Sequence, residues 1–381
     1  MPEPSKLVAG LKRSGIREIG DLAAGMEGVI SLQIGEPLFS TPPHIIDAAC
    51  EAVKAGFTKY TPNPGLPSVR EVIARRLNED YQLKLTPENV VLTVGGIGAL
   101  ASAIRALTDV GDEVLIPDPG WPNYEMTVEC ADAVPRRYKL DQDRGFIPAI
   151  EDLEKLITPK TKVLIINSPS NPLGTVFPEA VMKELVDFAR RYDLYIVSDE
   201  VYEKIVYDGK HASALSFDTD GRVVGVFSFS KTYAMTGWRV GYAVAAEPVA
   251  RQIAKLQEAY VSSAAAVSQK AAEAAVTGPQ DCVETMRKAY EENRKVACQV
   301  LDSFGIHYQK PQGAFYVWVE VNCEDSTEFA KRLLIEQKVA VAPGTTFGPS
   351  GKRHIRISLA SPTEAIREGL HRLGLMLKKR V

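Results

Sequence analysis

Apolar positions change their spacing several times along the chain, and each change marks an element. Ile30-Ser31-Leu32-Gln33-Ile34 alternates apolar and polar residues as a short strand does, and it stops at Gly35-Glu36-Pro37. Thr41-Pro42-Pro43 opens a helix, with Thr41 as candidate N-cap and Ile46, Cys50 and Val53 on one face. The stretch Lys59-Tyr60-Thr61-Pro62-Asn63-Pro64-Gly65 is too rich in Pro and Gly for a helix or a central strand, and it reads as a loop, ordered or solvated.

From Val90 onward short apolar runs alternate with helical patterns. Val90–Val94, Glu113–Ile116, Lys162–Ile166, Leu194–Val197, Val223–Phe227 and Arg239–Val244 read as buried strands. Leu100, Ile104 and Leu107 fall in helical register, as do Val181, Leu185, Phe188 and Tyr192. This alternation predicts an α/β large domain with a mainly parallel sheet between two layers of helices. Near residue 250 the pattern lengthens into two helices, roughly Pro248–Val276 and Cys282–Phe304, broken at Thr277-Gly278-Pro279. Beyond them Phe315–Val319, a helix near Glu328–Gln337, His354–Ser358 and a terminal helix describe a smaller α+β domain. The expected division is 42–277 for the large domain, and 1–41 with 278–381 for an N-terminal arm and small domain.

Composition narrows the function classes. A formal net charge of −3 over 381 residues offers no basic field, so no nucleic-acid partner is expected. No apolar run approaches the ~18 residues of a membrane span, and the first residues carry no export signal. Cys50, Cys130, Cys282, Cys298 and Cys323 are scattered without a C-x-x-C pair, which argues against a disulfide framework or a metal site. They are expected as buried thiols in a reducing cytoplasm.

Candidate chemistry gathers around Ser228-Phe229-Ser230-Lys231-Thr232-Tyr233-Ala234-Met235-Thr236-Gly237-Trp238-Arg239, where a lysine on a loop between two core strands has hydroxyls beside it and an arginine downstream. Val94-Gly95-Gly96-Ile97-Gly98 follows a strand and opens a helix, a phosphate cradle or a tight turn. With Ser228, Ser230 and Arg239 it can form an anion site beside Lys231. A phosphate next to a lysine suits pyridoxal 5'-phosphate, whose aldehyde forms a Schiff base with an amine and whose ring withdraws electrons. That ring calls for a carboxylate at its nitrogen. Asp199, in Ser198-Asp199-Glu200 at the end of an apolar strand, is such a carboxylate or else a helix cap. Tyr202 can reach the ring oxygen or simply pack, Trp121 can stack on a flat ring or fill core, and Asn171 can enter the same pocket or serve its turn. Arg356 lies inside an apolar strand and wants a carboxylate, which an amino-acid substrate supplies; an exposed edge strand is the alternative.

In combination these motifs resemble the class I aminotransferases of pyridoxal-phosphate fold type I: S-x-S-K-x-x-x-x-x-G-W-R at 228–239, N-x-P-x-N-P-x-G at 167–174, S-D-E-V-Y at 198–202 and K-Y-T-P-x-x-G at 59–65. The resemblance implies a seven-stranded sheet in the large domain. It implies Lys231 as the Schiff-base lysine and acid/base, Asp199 at the ring nitrogen, and Tyr202 and Asn171 at the ring oxygen. Trp121 is implied as the stacking residue, and Gly96 and Ile97 with Ser228, Ser230 and Arg239 as the phosphate cup. Arg356, Gly35, Trp121 and Asn171 are implied on the substrate side. Tyr60 resembles a tyrosine that reaches the phosphate of a neighbouring subunit, so a homodimer with shared sites is expected. The implied reaction is ping-pong transfer of an amino group from an L-amino acid to a 2-oxo acid; a lyase or decarboxylase, or a silent binding domain, are the rivals. Ile97 stands where several aspartate-specific relatives have a lysine, so alanine or aromatic donors are expected, unless the N-terminal arm or a partner subunit supplies a cation.

Overall fold

The computed structural model describes residues 2–378. Seven strands, β1 (Val90–Thr93), β2 (Glu113–Asp118), β3 (Val134–Lys139), β4 (Thr161–Asn167), β5 (Tyr195–Asp199), β6 (Val223–Ser228) and β7 (Gly241–Val244), form one sheet ordered β1-β7-β6-β5-β4-β2-β3. Only β7 runs antiparallel to its neighbours. Alternate residues serve opposite faces: Leu164, Ile166 and Ile196 join the core under helices Pro43–Lys54, Pro67–Tyr81 and Glu179–Arg191. Val163, Ile165 and Val197 join the core under helices Gly95–Leu107 and Asn123–Cys130. Burial on both faces is why these strands read as continuous apolar runs, and the α/β expectation is met.

A second sheet is antiparallel. It holds β8 (Tyr308–Gln309), β9 (Tyr316–Glu320), β10 (Ala342–Pro343) and β11 (His354–Ser358) in the order β10-β11-β9-β8. Arg356 therefore lies on an inner strand, paired with Trp318 on one side and Ala342 on the other, and the edge-strand alternative falls. The expected strand at 30–34 is shorter: Ile30–Ser31 pairs in parallel with Val339–Ala340. Ser358 N then donates to Leu32 O at 2.8 Å, which carries the chain on towards Gly35 beside Arg356.

Several expectations need correction. Helix Pro43–Lys54 buries Ile45, Ala49 and Ala52, and the face with Ile46, Cys50 and Val53 is exposed. Pro42 holds its N-cap position, while the Thr41 hydroxyl donates to Ala234 O at 2.7 Å. The long helix expected over 248–276 is two, Glu247–Tyr260 and Ala266–Thr277, because Ser262 turns the chain at φ +61°. Lys231 sits on a helical turn, Phe229–Thr232, instead of an open loop. The cysteines form no disulfide, but Cys50 and Cys130 are exposed instead of buried. Among the described residues no helix is long and apolar enough to cross a membrane.

Candidate functional site

One cavity of about 470 Å³ opens at the C-terminal ends of the parallel strands, and every candidate residue named from the sequence lines it except Tyr60. Ligands of parallel sheets collect there because helix N-termini and strand-end loops converge on that edge. Lys231 enters from the turn after β6, where Ser228 caps by accepting from Ser230 N at 3.2 Å. Its Nζ donates to Gly35 O at 2.5 Å and stands 5.7 Å from the centre of the Phe315 ring. Burial, and then the Arg356 cation, push the Lys231 amine down to about 8, against the pull of Glu36 and Asp199. An amine so placed is partly neutral near physiological pH, as a nucleophile or proton acceptor must be.

Asp199 ends β5 and is 3% exposed. Burial drives its carboxyl up to about 6, while the Tyr124 hydroxyl, donating to Oδ2 at 2.6 Å, holds it down. Asn167, its register partner on β4, donates from Nδ2 to Asp199 O at 2.9 Å and accepts from Asn171 N at 2.8 Å. One asparagine thus ties the acidic strand end to the loop that carries Asn171. Tyr202 is buried, with its hydroxyl 2.8 Å from that of Tyr316. Trp121 meets Tyr124 edge-on at 5.6 Å, and its loop is fastened by Gly120 N donating to Phe347 O at 2.8 Å.

The anion cradle depends on close backbone packing. Gly95 adopts φ +69° at the start of helix Gly95–Leu107, and a Cβ on Gly241 would stand 2.6 Å from both Gly95 C and Gly96 N. Only a glycine lets β7 lie so near the helix start, whose free N–H groups line the cavity with Ser228 and Ser230. Arg239, at φ +51°, donates from Nη1 to Thr236 O at 2.9 Å and forms no ion pair among the described residues.

Arg356 is 2% exposed, yet among the described residues no carboxylate forms an ion pair with it. Nη1 donates to Asn171 Oδ1 at 3.0 Å and Nη2 to Gln33 O at 2.5 Å, while Nε is buried without a partner. The guanidinium carbon lies 4.3 Å from the Tyr316 ring centre and 5.0 Å from that of Phe347. Burial lowers its proton affinity, and a cation so enclosed invites a bidentate anion. An anion cradle, a partly neutral amine, a buried acid and a carboxylate receptor around one cavity fit pyridoxal 5'-phosphate with an amino-acid substrate.

Sequence reasoning missed Tyr124, Asn167, Tyr316, Glu36, Thr236, Ile16, Arg17 and Ile34, all of which line the cavity. Asn167 stood inside a quoted motif, and its position four residues before Asn171, at the end of a strand, was a usable signal. Tyr316 gave none, since it lies in an apolar strand where a tyrosine reads as packing, and Tyr124, between Asn123 and Glu125 in the first turn of a helix, belongs to none of the motifs. Tyr60 lies outside the cavity and is 91% exposed.

A family model described as aminotransferase class I and II matches residues 27–373. The probable aspartate aminotransferase of Methanocaldococcus jannaschii is 42% identical over 94% of this chain and 96% of its own. Aromatic-amino-acid aminotransferase 2 of Thermococcus litoralis is 38% identical over 96% of each chain. The solved aspartate aminotransferase of Thermus thermophilus with maleate superimposes with a TM-score of 0.95 at 36% identity, covering 99% of this chain and 100% of that one. The chain belongs to the class I and II aminotransferases, pyridoxal 5'-phosphate enzymes that move an amino group from an amino acid to a 2-oxo acid.

Proposed function

We propose that this aminotransferase draws its amino group from L-amino acids with uncharged side chains, alanine or aromatic ones among them. The observation that carries the reading is Ile97. It occupies the first turn of helix Gly95–Leu107 and lines the cavity together with Ile16 and Ile34, so no cation stands at that position to meet a second carboxylate. Burying a carboxylate against apolar side chains costs several kcal/mol, on the order of 4 or more, or forces its protonation. Arg17 is a cation from the N-terminal arm that lines the same cavity, but it is exposed, so it meets the distal carboxylate of a longer acceptor such as 2-oxoglutarate at the opening without neutralising a shorter one buried against Ile97.

The residue roles belong to the same proposal. When bound, pyridoxal 5'-phosphate supplies an electrophilic carbonyl and an electron-withdrawing ring. Lys231 would be the amine that holds the group through its carbonyl, and its Nζ, once free, would carry a proton from the substrate α-carbon. Asp199 keeps a proton on the ring nitrogen, with Tyr124 holding its carboxylate ionised. Tyr202 and Asn171 would hold the ring oxygen, and Trp121 would cover the ring. Gly96, Ile97, Ser228, Ser230 and Arg239 hold the phosphate, and Arg356 holds the substrate carboxylate beside Gly35.

Two copies are read as sharing their sites. Tyr60 is 91% exposed and Tyr260 64%, and the Ile46, Cys50 and Val53 stripe of helix Pro43–Lys54 is exposed, which supports a partner chain there. A division at 42–277, a homodimer and a cytoplasmic setting complete the reading. The deciding experiment is a panel of amino donors against 2-oxoglutarate and pyruvate with purified holoenzyme. Neutral donors are expected to exceed aspartate in kcat/KM; aspartate leading all donors by about tenfold or more, a difference of about 1.4 kcal/mol, would overturn it.

A further inference from the structure

Tyr316 stands where the carboxylate receptor and the Tyr202 hydroxyl meet. It lies on β9 opposite Ser358, two positions from the Trp318–Arg356 pair, and is 1% exposed. Its ring lies 4.3 Å from the Arg356 guanidinium carbon, and its hydroxyl is 2.8 Å from that of Tyr202. Among the described residues Tyr202 is the only hydrogen-bond partner of that hydroxyl. The remaining side is closed by Gly35, where a Cβ would collide with the Tyr316 hydroxyl. A packing tyrosine needs one contact; this one spends its ring on one functional group and its hydroxyl on another.

We propose that Tyr316 is a positioning residue that couples carboxylate occupancy of Arg356 to the hydrogen-bond strength of Tyr202. The inference rests on the roles proposed above for those two residues. A cation over the ring face draws electron density from the phenol and makes its hydroxyl a better donor. Burial pushes the Tyr316 phenol up, and Arg356 is the foremost group pulling it down. Either hydroxyl can donate in this bond; when the Tyr202 hydroxyl donates into the cavity its oxygen is left to accept from Tyr316, and hydrogen bonds in such a chain polarise one another. A carboxylate on Arg356 cancels the cation, weakens the Tyr316 donor and then the Tyr202 donor. Whatever Tyr202 faces holds its own proton more tightly as a result, at the moment the substrate has docked. The other charged groups around the pair are Asp199, which acts on both hydroxyls, and Lys231 with Glu36 and Arg239 beyond it. Arg356 also acts on Lys231 directly, so Tyr316 carries a share of the response and not the whole.

The test titrates the visible absorbance of the cofactor–lysine chromophore against pH, with and without saturating 3-phenylpropionate, a carboxylate that cannot react. Wild-type holoenzyme is expected to show a higher titration midpoint when the probe is bound. In Tyr316→Phe that rise falls to less than half of the wild-type rise, and in Tyr202→Phe it falls equally, with the double variant no lower than either single one. Near-UV circular dichroism checks that each variant is folded, and the Tyr202→Phe arm carries the test if Tyr316→Phe is not. A full wild-type rise in Tyr316→Phe overturns the proposal, as does a loss in the double variant equal to the sum of the two. A wild-type enzyme indifferent to the probe overturns the Arg356 assignment and the coupling with it, a result distinct from a response that survives the substitution.

Discussion

The Tyr124 hydroxyl and Asp199 Oδ2 are 2.6 Å apart in a buried site, and this bond offsets part of the burial that pushes the carboxyl up. Removing the donor therefore raises the Asp199 value above about 6. Hydrogen bonds to charged groups contribute about 1.5–3 kcal/mol, so Tyr124→Phe is expected to shift the acid limb of kcat/KM upward by about one pH unit. An unshifted acid limb, with kcat/KM lowered uniformly, would exclude this account.

Asp199 also bears on stability. Its folded-state value of about 6 exceeds the usual carboxylate value of about 3.9, so folding favours the protonated form. The contribution is fully present below about pH 4 and is lost as pH rises through the folded-state value. Without cofactor, Asp199→Asn is thus expected to be more stable than wild type at pH 7.5 by on the order of 2 kcal/mol, with the gap closing near pH 4. Urea denaturation of the two apoproteins at both pH values measures it; a gap that widens on acidification would have the wrong sign.

Gly241→Ala forces a methyl group into a space where two backbone atoms lie 2.6 Å away. Overpacking of this kind costs about 1–3 kcal/mol, and here it pushes β7 away from the start of helix Gly95–Leu107. We expect a lowered melting temperature together with at least about tenfold weaker cofactor retention, equivalent to 1.4 kcal/mol, read by equilibrium dialysis. Cofactor affinity equal to wild type would separate the glycine from the cradle.

Ile97→Lys tests the side-chain end of the cavity. A cation there is expected to raise kcat/KM for aspartate relative to phenylalanine by about tenfold, or about 1.4 kcal/mol. Arg17→Ala is expected to raise KM for 2-oxoglutarate while leaving that for pyruvate within about twofold, since the charge that it removes has no counterpart on a monocarboxylate. Equal effects on both acceptors would assign Arg17 to the arm's packing.

The strands around the site were legible because burial on both faces leaves unbroken apolar runs inside them, Val114–Ile116 in β2, Val163–Ile166 in β4, Ile196–Val197 in β5 and Val223–Phe227 in β6, with polar residues confined to the strand ends. Strand β3 escaped because it lies at the sheet edge, where Pro135, Arg136 and Arg137 are tolerated and blur the apolar signal. The exposed stripe on helix Pro43–Lys54 misled for a related reason: Ile46 and Val53 are apolar but face away from this chain's core, so periodicity alone chose the wrong side. At the site, motif residues such as Lys231 and Asp199 could be found from their neighbours in sequence. Tyr124 and Tyr316 owe their positions to pairing between distant strands and helices, which leaves no local trace.

Lys231 Nζ rests on the carbonyl of Gly35, and that acceptor belongs to the main chain. No exchange of a side chain at position 35 deletes the carbonyl, and any larger residue there strikes Tyr316. The amine's docking point is thereby insulated from mutational drift. Ile16, Arg17 and Ile34 sit around the same opening on side chains alone, so selection can rework which substrates enter while the amine keeps its seat.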